Sequence, residues 1–249
     1  MMKQLFIKSA AVCCPDSEVL AAFNLQGNDI DKNLIPAGMR RRTSITTRMA
    51  ITAAKIACEQ AGADAQNLAS VFASLGGEIQ VTDALCRLLP DENELLSPTQ
   101  FHNSVHNTTA GYWSILNQCQ APATAIAAAD DTFAMGLVEV WAQLQQSSGE
   151  CLLVCYDELW PQYLAPPIGK IAFACAFVLS TEAEQSLGAI TLPQVAQQYK
   201  HNLQAKWLKL TESAPAAAVI PLLLALQSKQ PRIVPLNIKA PIWTSQFVL

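Results

Sequence analysis

The chain has 249 residues and a net charge of −4; 51% of its residues are hydrophobic and only 14% are charged. Charged residues are typically about a quarter of a soluble domain, so this composition predicts a large core or an apolar surface that a partner covers. The longest apolar runs, Ile171–Leu179 and Ala214–Leu226, are shorter than the roughly 20 residues of a membrane-spanning helix. Met1–Cys14 shows no signal-peptide cleavage pattern. We therefore expect a cytoplasmic protein with no membrane partner.

The arginines and cysteines give no indication of a nucleic-acid-binding protein or of a metal-binding protein. Arg40–Arg42 is the one basic run, and it is too short to indicate a nucleic-acid partner. An acidic carrier protein could use this run, although three arginines are also typical of a solvated or ion-paired helix start. None of the eight cysteines forms a CxxC pair, so we expect reduced structural thiols and no metal site.

The first half of the chain alternates strand and helix patterns. A β-prone segment stopped by Pro15 is followed by a segment with helical periodicity, for which Thr43 or Ser44 is the expected cap and Gly62 the expected stop. A short apolar strand and an amphipathic helix ended by Pro90 come next. The predicted elements are a strand at Lys3–Cys14, a helix at Thr43–Ala61, a strand at Leu68–Leu75 and a helix at Ile79–Leu89.

The second half continues this alternation, which indicates a single α/β domain over residues 1–249. Two of its strands are continuously apolar, as expected for central strands covered on both faces. After Ser180 the pattern weakens into a C-terminal extension that begins near residue 181. The predicted elements are helices at Ser104–Asn117, Thr132–Gln146 and Pro215–Leu226, a short buried strand at Ala123–Ala128, central strands at Glu150–Asp157 and Ile171–Thr181, and extended pieces at Ala189–Leu192 and Ala240–Leu249.

One junction has the form of a catalytic elbow. The strand Ala123–Ala128 runs through a tight turn into the helix Thr132–Gln146, and the turn holds Asp130 and Asp131. Backbone N–H groups at a helix start favour a thiolate or an oxyanion there. An acidic residue at this place can also be an ordinary helix cap. The sequence leaves both roles open for Asp130.

The segment Ser97–Ile115 contains two further candidate features. His102 and His106 have the i, i+4 spacing of a helical metal pair, but His102 is expected to precede the helix and no HExxH pattern is present. Tyr112 and Trp113 are predicted to be core or interface anchors. We therefore predict no metal and no cofactor.

Together these stretches resemble the β-ketoacyl synthases of the thiolase fold. The motif Asn107-x-x-Ala110-Gly111, the strand Ala123–Ala128, the elbow and the strand Cys151–Tyr156 follow the ketosynthase order. The short chain-length-factor-like members of aryl polyene systems are most similar. The resemblance covers about residues 3–180 and implies a truncated thiolase-like fold, a mixed sheet covered by helices that corresponds to roughly the N-terminal half of a ketosynthase.

The resemblance implies loss of catalysis. Active ketosynthases carry a nucleophilic cysteine at the elbow, a position that this chain fills with Asp130. None of His102, His106 and His201 falls in a motif that matches the family's catalytic histidines. We therefore expect no catalytic residue and no condensation by this chain alone.

The resemblance also implies a partner. Ketosynthases pair the strand before the elbow across a two-fold dimer, and in chain-length-factor complexes an inactive subunit takes the second place. This chain would then bind a ketosynthase, as a heterodimer or heterotetramer, and an acyl carrier protein through that complex. The residues implied at the interface and tunnel floor are Phe101, His102, Val105, Asn107, Tyr112, Trp113, Thr124, Ile126 and Phe133.

Three functions remain open at this point. The chain could be a non-catalytic chain-length factor that shapes the acyl tunnel of a ketosynthase in polyketide or aryl polyene synthesis. It could instead be an enzyme, such as an acyl-carrier thioesterase or decarboxylase that uses Asp130. Finally, it could be a structural stabiliser of the ketosynthase with no effect on product length.

Overall fold

A computed structural model describes residues 4–15, 18, 21, 29–90, 95–164, 171–199 and 204–249. His201 lies outside these residues. Within them, no helix has the length and apolar character needed to cross a bilayer. The eight cysteines form no disulfide, and all but Cys86 are buried.

The sequence forms nine strands and eight α-helices within the described residues. The strands are β1 (Gln4–Cys13), β2 (Ala69–Ala73), β3 (Ala123–Ile126), β4 (Glu150–Asp157), β5 (Phe173–Ser180), β6 (Gly188–Thr191), β7 (Gln194–Val195), β8 (Arg232–Pro235) and β9 (Trp243–Val248). The helices are α1 (Ala37–Arg40), α2 (Ile45–Ala61), α3 (Ile79–Leu88), α4 (Pro98–Asn103), α5 (Thr108–Asn117), α6 (Thr132–Gln146), α7 (Ala205–Ser213) and α8 (Ile220–Ser228).

All nine strands belong to one mixed sheet. Its order is β3-β2-β4-β5-β1-β6-β9-β7, with β8 also paired to β9. The strands β3, β2 and β4 are parallel to one another, whereas β5 runs antiparallel to both β4 and β1. The strands β6–β9, which follow residue 181, extend this same sheet beyond β1. The predicted mixed sheet is confirmed.

Helices cover both faces of the sheet because the two central strands are apolar on both faces. Along β4, Cys151, Leu153 and Cys155 contribute to the core that lies beneath α6 and α8. The alternate residues Leu152 and Val154 pack under α2 and α5 on the other face. This alternation has the period of two that a pleated strand imposes. The prediction of central strands buried on both faces is confirmed.

The boundaries of α2 follow from local chemistry. Ser44 is the N-cap, and its hydroxyl accepts a hydrogen bond from the Thr47 N–H at 2.9 Å. Gly62 ends the helix with a φ of 66°, a left-handed conformation that suits glycine. Both predicted boundary signals are confirmed.

Two predicted elements are wrong in detail. The helix expected from Ser104 begins only at Thr108, because residues 104–107 leave the helical path and the His106 ring bonds to the Ser74 carbonyl at 2.9 Å. The strand at Ala123 was expected to be buried, but it is the half-exposed last strand of the sheet. The short run Ala-Thr-Ala-Ile is compatible with a buried strand and with a strand at the edge of the sheet.

Candidate functional site

Among the described residues β3 is the last strand on its side of the sheet, and its outer side presents an open edge. Ser70 N–H donates to the Pro122 carbonyl at 3.0 Å, and Ser74 N–H donates to the Ile126 carbonyl at 3.1 Å. Because N–H and C=O groups alternate sides along a strand, the backbone groups of Ala123 and Ala125 face away from β2. The strand contains neither a charged residue nor a proline, which are common protections of a solvent-exposed edge. The edge is therefore open to another strand.

The elbow after β3 is strained at Ala129. This residue has a φ of 49°, in the left-handed region that costs a residue with a Cβ about 1 kcal/mol or more. The Thr132 hydroxyl holds the turn by donating to the Ala129 carbonyl at 2.7 Å and accepting from the Ala128 N–H at 3.0 Å. In a nucleophile elbow the strained residue carries the reactive atom. Here the strained residue is Ala129, one position before Asp130, the residue that the resemblance put at the nucleophile position. An alanine has no reactive atom.

Asp130, the residue after this strained position, does not cap α6. Its two carboxylate oxygens bind the Lys239 ammonium at 3.0 and 3.1 Å, and its side chain is 40% exposed. The N-cap residue Asp131 makes no side-chain capping bond either. The capping role that the sequence left open for Asp130 is therefore wrong.

A clasp formed by Asn237 and Trp243 holds Asp131. The Asn237 side-chain amide donates to one Asp131 oxygen at 2.6 Å, and the Trp243 indole N–H donates to the other at 3.2 Å. Asn237 is 2% exposed, and its amide also donates to the carbonyls of Lys239 and Pro241 while its oxygen accepts from the Trp243 N–H. The loop between β8 and β9 thereby fixes the elbow.

The structure divides the nine predicted interface residues into two groups. Six are exposed or half-exposed: Phe101, His102, Val105 and Asn107 around the α4–α5 turn, and Thr124 and Ile126 on β3. The other three are buried in the core. Tyr112 and Trp113 pack under the sheet with Phe72, and Phe133 stacks on Phe177 at 6.2 Å on the opposite face. These three side chains are core residues rather than surface residues.

The two histidines have different partners. His102 precedes α5, as expected, but it lies within the separate short helix α4, and its ring packs edge-on against Tyr112. The His106 ring faces the other way, toward the Ser74 carbonyl and beside Gly77. In the part of the chain that the structure describes, no cluster of three potential metal ligands occurs.

Three buried carboxylates at the carboxyl ends of β2 and β4 were not identified from the sequence. Asp157 Oδ1 accepts from the Ser74 hydroxyl and from the Leu75 and Gly76 N–H groups at 2.8–3.1 Å. Glu158 binds Thr46 and Gln80 N–H, and Glu78 binds Ser44 and Thr47. The available signal was that Asp157 ends β4 with Glu158 next to it, while Glu78 lies in the loop after β2, a parallel neighbour of β4 in the sheet. They tie the start of α2 to the loops after both strands.

Burial raises the pKa of these carboxyl groups. The pKa of Asp157 rises to about 7 because desolvation outweighs its hydrogen bonds, and the pKa values of Glu78 and Glu158 rise for the same reason. A folded-state pKa above the unfolded value adds stability at low pH, and this stability is lost as the pH rises through the folded value.

We therefore expect the free energy of unfolding to fall between about pH 4 and pH 7. Asp157 alone contributes a slope of at most about 1.4 kcal/mol per pH unit. Urea unfolding at a series of pH values measures the slope. Asp157→Asn, which cannot titrate but keeps an acceptor for Ser74, should flatten it. An unchanged slope in this variant would contradict the assignment.

The fold resembles those of ketosynthase complexes. One chain of a structure described as a ketosynthase (ApeO) in complex with its chain length factor (ApeC), from Xenorhabdus doucetiae, superposes with a TM-score of 0.72 at 19% identity, covering 99% of both chains. A second similar structure is described as a type II PKS acyl-carrier protein in complex with its ketosynthase (AntDE:AntF). One of its chains superposes with a TM-score of 0.68 at 13% identity, over 100% of this chain and 99% of that one.

A chain of the ishigamide ketosynthase/chain length factor superposes with a TM-score of 0.62 at 14% identity, over 90% of this chain and 73% of that one. At these identities the likeness defines the ketosynthase fold. No curated protein sequence matches the chain. Residues 17–236 match the family model of the beta-ketoacyl synthase N-terminal domain. The chain therefore belongs to this family.

Proposed function

We propose that this chain is a non-catalytic chain-length factor that pairs with an active ketosynthase through the open edge of β3. The unpaired outward groups of Ala123 and Ala125 are the observation that carries this proposal, because an uncharged edge is a template for a strand of a second chain. The similar structures named above include complexes of a ketosynthase with a chain length factor, which supports the same assignment.

The elbow supports a role without catalysis. Ala129 offers no nucleophilic atom at the strained position. Of the two acids that follow Ala129, Asp131 is held by the clasp, and the Asp130 carboxylate is paired with Lys239. A carboxylate is already a weak nucleophile toward a thioester, and a neighbouring ammonium weakens it further. Hydrolysis of an acyl-carrier thioester by the isolated chain, abolished in Asp130→Ala, would overturn this part of the proposal.

Exposed apolar side chains around α4 suit the closed end of the partner's acyl tunnel. Phe101, within α4, is 62% exposed, and Val105, on the turn between α4 and α5, is 44% exposed. A side chain at the floor of a tunnel limits the chain length by steric exclusion and needs no titratable group. We assign this role to Phe101, with Val105 and His102 beside it.

Phe101→Ala is expected to lengthen the polyketide or polyene product of the reconstituted pair by one or more extension units, because it removes most of the side-chain volume at the floor. Mass spectrometry of the released products measures this shift. Ile233→Ala on β8, at the opposite end of the sheet, is a matched control that removes a similarly exposed apolar side chain. Unchanged products with Ala at Phe101, His102 and Val105 would exclude the tunnel-floor role.

Co-expression separates pairing from simple stabilisation. The proposal expects this chain and its ketosynthase to elute together in size-exclusion chromatography and to yield a product only as a pair. A structural stabiliser would raise the yield of soluble ketosynthase without altering the product length. Separate elution of two folded chains would refute the proposed function.

A further inference from the structure

The strand β3, the elbow and α6 form an acidic part of the chain. From residue 88 to residue 169 the sequence contains no lysine or arginine, and residues 123–146 contain three acids. At the elbow, Asp130 has its ion pair and Asp131 has the clasp. The third acid, Glu139, lies on α6, and it takes part in neither of the ion pairs found among the described residues. Its charge therefore has no cationic partner in the described part of the chain.

Glu139 is fixed beside the edge strand. Its Oε1 accepts a hydrogen bond from the Thr124 hydroxyl at 3.2 Å and another from the Gln143 side-chain amide at 2.8 Å. The Gln143 amide also donates to the Thr124 hydroxyl at 3.1 Å, so the three side chains form a closed triangle. Glu139 is half-exposed, and among the described residues its second oxygen, Oε2, has no hydrogen-bond donor. This oxygen is therefore open to a group from another chain.

Apolar side chains flank Glu139 on one face of α6. Met135 and Val138 are half-buried, and Ala142 is exposed. Together with Glu139 they follow the i, i+3, i+4, i+7 spacing of a single helix face, which we call the α6 stripe. Because Glu139 contacts β3, the last strand on this side of the described sheet, the stripe lies on the side of α6 toward the open edge. The α6 stripe thus continues the surface that begins at the edge of β3.

A second copy of this chain would bring two such carboxylates together. If two copies of β3 pair antiparallel across a two-fold axis perpendicular to the sheet, both copies of α6 lie on the same face, one on each side of the axis. The strand has only four residues, so such a pair keeps Thr124 close to its own copy. Each Glu139 is bound to the Thr124 of its own chain, so the two carboxylates would meet at the axis. Juxtaposing like charges at an interface disfavours that pairing.

We infer that Glu139 selects the partner of this chain, because it opposes pairing with a second copy and favours a ketosynthase that presents a cationic side chain to it. This inference rests on the proposed function and adds to it the residue that distinguishes the ketosynthase from a second copy. The second copy can offer no lysine or arginine from its own β3, elbow or α6. One charge within an otherwise apolar stripe thus gives specificity through both attraction and repulsion.

The variant Glu139→Gln removes the charge and keeps an amide oxygen that can accept from Thr124 and Gln143. In analytical ultracentrifugation of the purified chain, this variant should pair with itself at least about tenfold more tightly than the unmodified chain. It should bind the ketosynthase about tenfold more weakly, because the partner's cation loses its anion. Glu182→Gln removes the same charge from an exposed position after β5, three strands away from β3, and it should change neither equilibrium.

Charge reversal separates this electrostatic role from a structural one. An affinity-tagged Glu139→Lys chain should retain the untagged unmodified chain, although neither chain pairs appreciably with itself. High salt should weaken this mixed pair, because the attraction between the two charges is screened. A residue that merely supported the fold of α6 would produce no mixed pair.

Failure of the inference and failure of the proposed function give different results. If the unmodified chain does not bind the ketosynthase, the proposed function fails, whereas the measurements on this chain alone still test the repulsion at Glu139. If the ketosynthase binds but Glu139→Gln pairs with itself no more tightly than the unmodified chain, the inference is refuted. Unchanged binding of the ketosynthase by Glu139→Gln, or a mixed pair no tighter than either self-pair, would refute it as well.

Discussion

Replacing Ala125 with proline is expected to weaken the pairing with the ketosynthase at least about thirtyfold, equivalent to about 2 kcal/mol. The N–H of Ala125 faces the open edge of β3, whereas the hydrogen bonds to β2 use Thr124 and Ile126. Proline at this position removes one outward donor and places its ring where the partner strand would lie. Analytical ultracentrifugation of the mixed subunits measures the dissociation constant.

The control for this experiment is Ala125→Ser, which keeps the N–H and the small volume. The fold should survive the proline because edge strands tolerate it and the preceding Thr124 is already extended. Circular dichroism should therefore show both variants folded. Pairing that is equally tight in both would exclude β3 as the strand that joins the two chains.

Asn237→Ala is expected to lower the free energy of unfolding by about 3 kcal/mol. The substitution leaves the Asp131 carboxylate with one fewer donor and the half-buried Trp243 backbone N–H without an acceptor, and each polar group left without its partner inside the fold costs about 1–3 kcal/mol. Urea unfolding measures the loss. Partner binding should also weaken, because the elbow that follows β3 is no longer fixed.

Lys239→Ala provides the comparison at the same elbow. Its ion pair with Asp130 is exposed, so its removal should cost less than about 1 kcal/mol. Equal losses for the two variants would show that the clasp does not hold the elbow through its buried hydrogen bonds.

Features that depend on neighbouring residues could be predicted from the sequence. Ser44 and Gly62 mark the ends of α2 because a capping hydroxyl and a left-handed glycine act within one helical turn. The unbroken apolar runs of β4 and β5 likewise predicted central strands, since only a strand covered on both faces needs them.

Features that depend on distant residues could not be predicted from the sequence. The short run Ala-Thr-Ala-Ile of β3 fits a buried strand as well as an edge, and only the strand order of the sheet decides between them. Pro231 precedes β8 and Pro235 is its last residue, and two prolines so close together predict a break rather than a strand. The helix α7 was also missed. Asp131 gave no sign that its partner stands 106 residues further along the chain.

The candidate site was partly predictable for the same reason. The elbow and the exposed Phe101 follow from local pattern and from the resemblance, whereas the burial of Phe133 depends on its contact with Phe177 on β5. Glu78, Asp157 and Glu158 look like ordinary loop acids until the parallel pairing of β2 and β4 brings them together. Burial then changes their protonation, which no local pattern encodes.

The clasp between the elbow and the β8–β9 loop also has a consequence for the order of folding. Asp131 obtains its hydrogen-bond donors from Asn237 and Trp243, so a nascent chain that has emerged only as far as β5 cannot complete the elbow. Closing a loop of this length is slower than forming α6 locally. During synthesis, the strand that we propose for pairing would thus acquire its final support late, only after Asn237 and Trp243 have emerged.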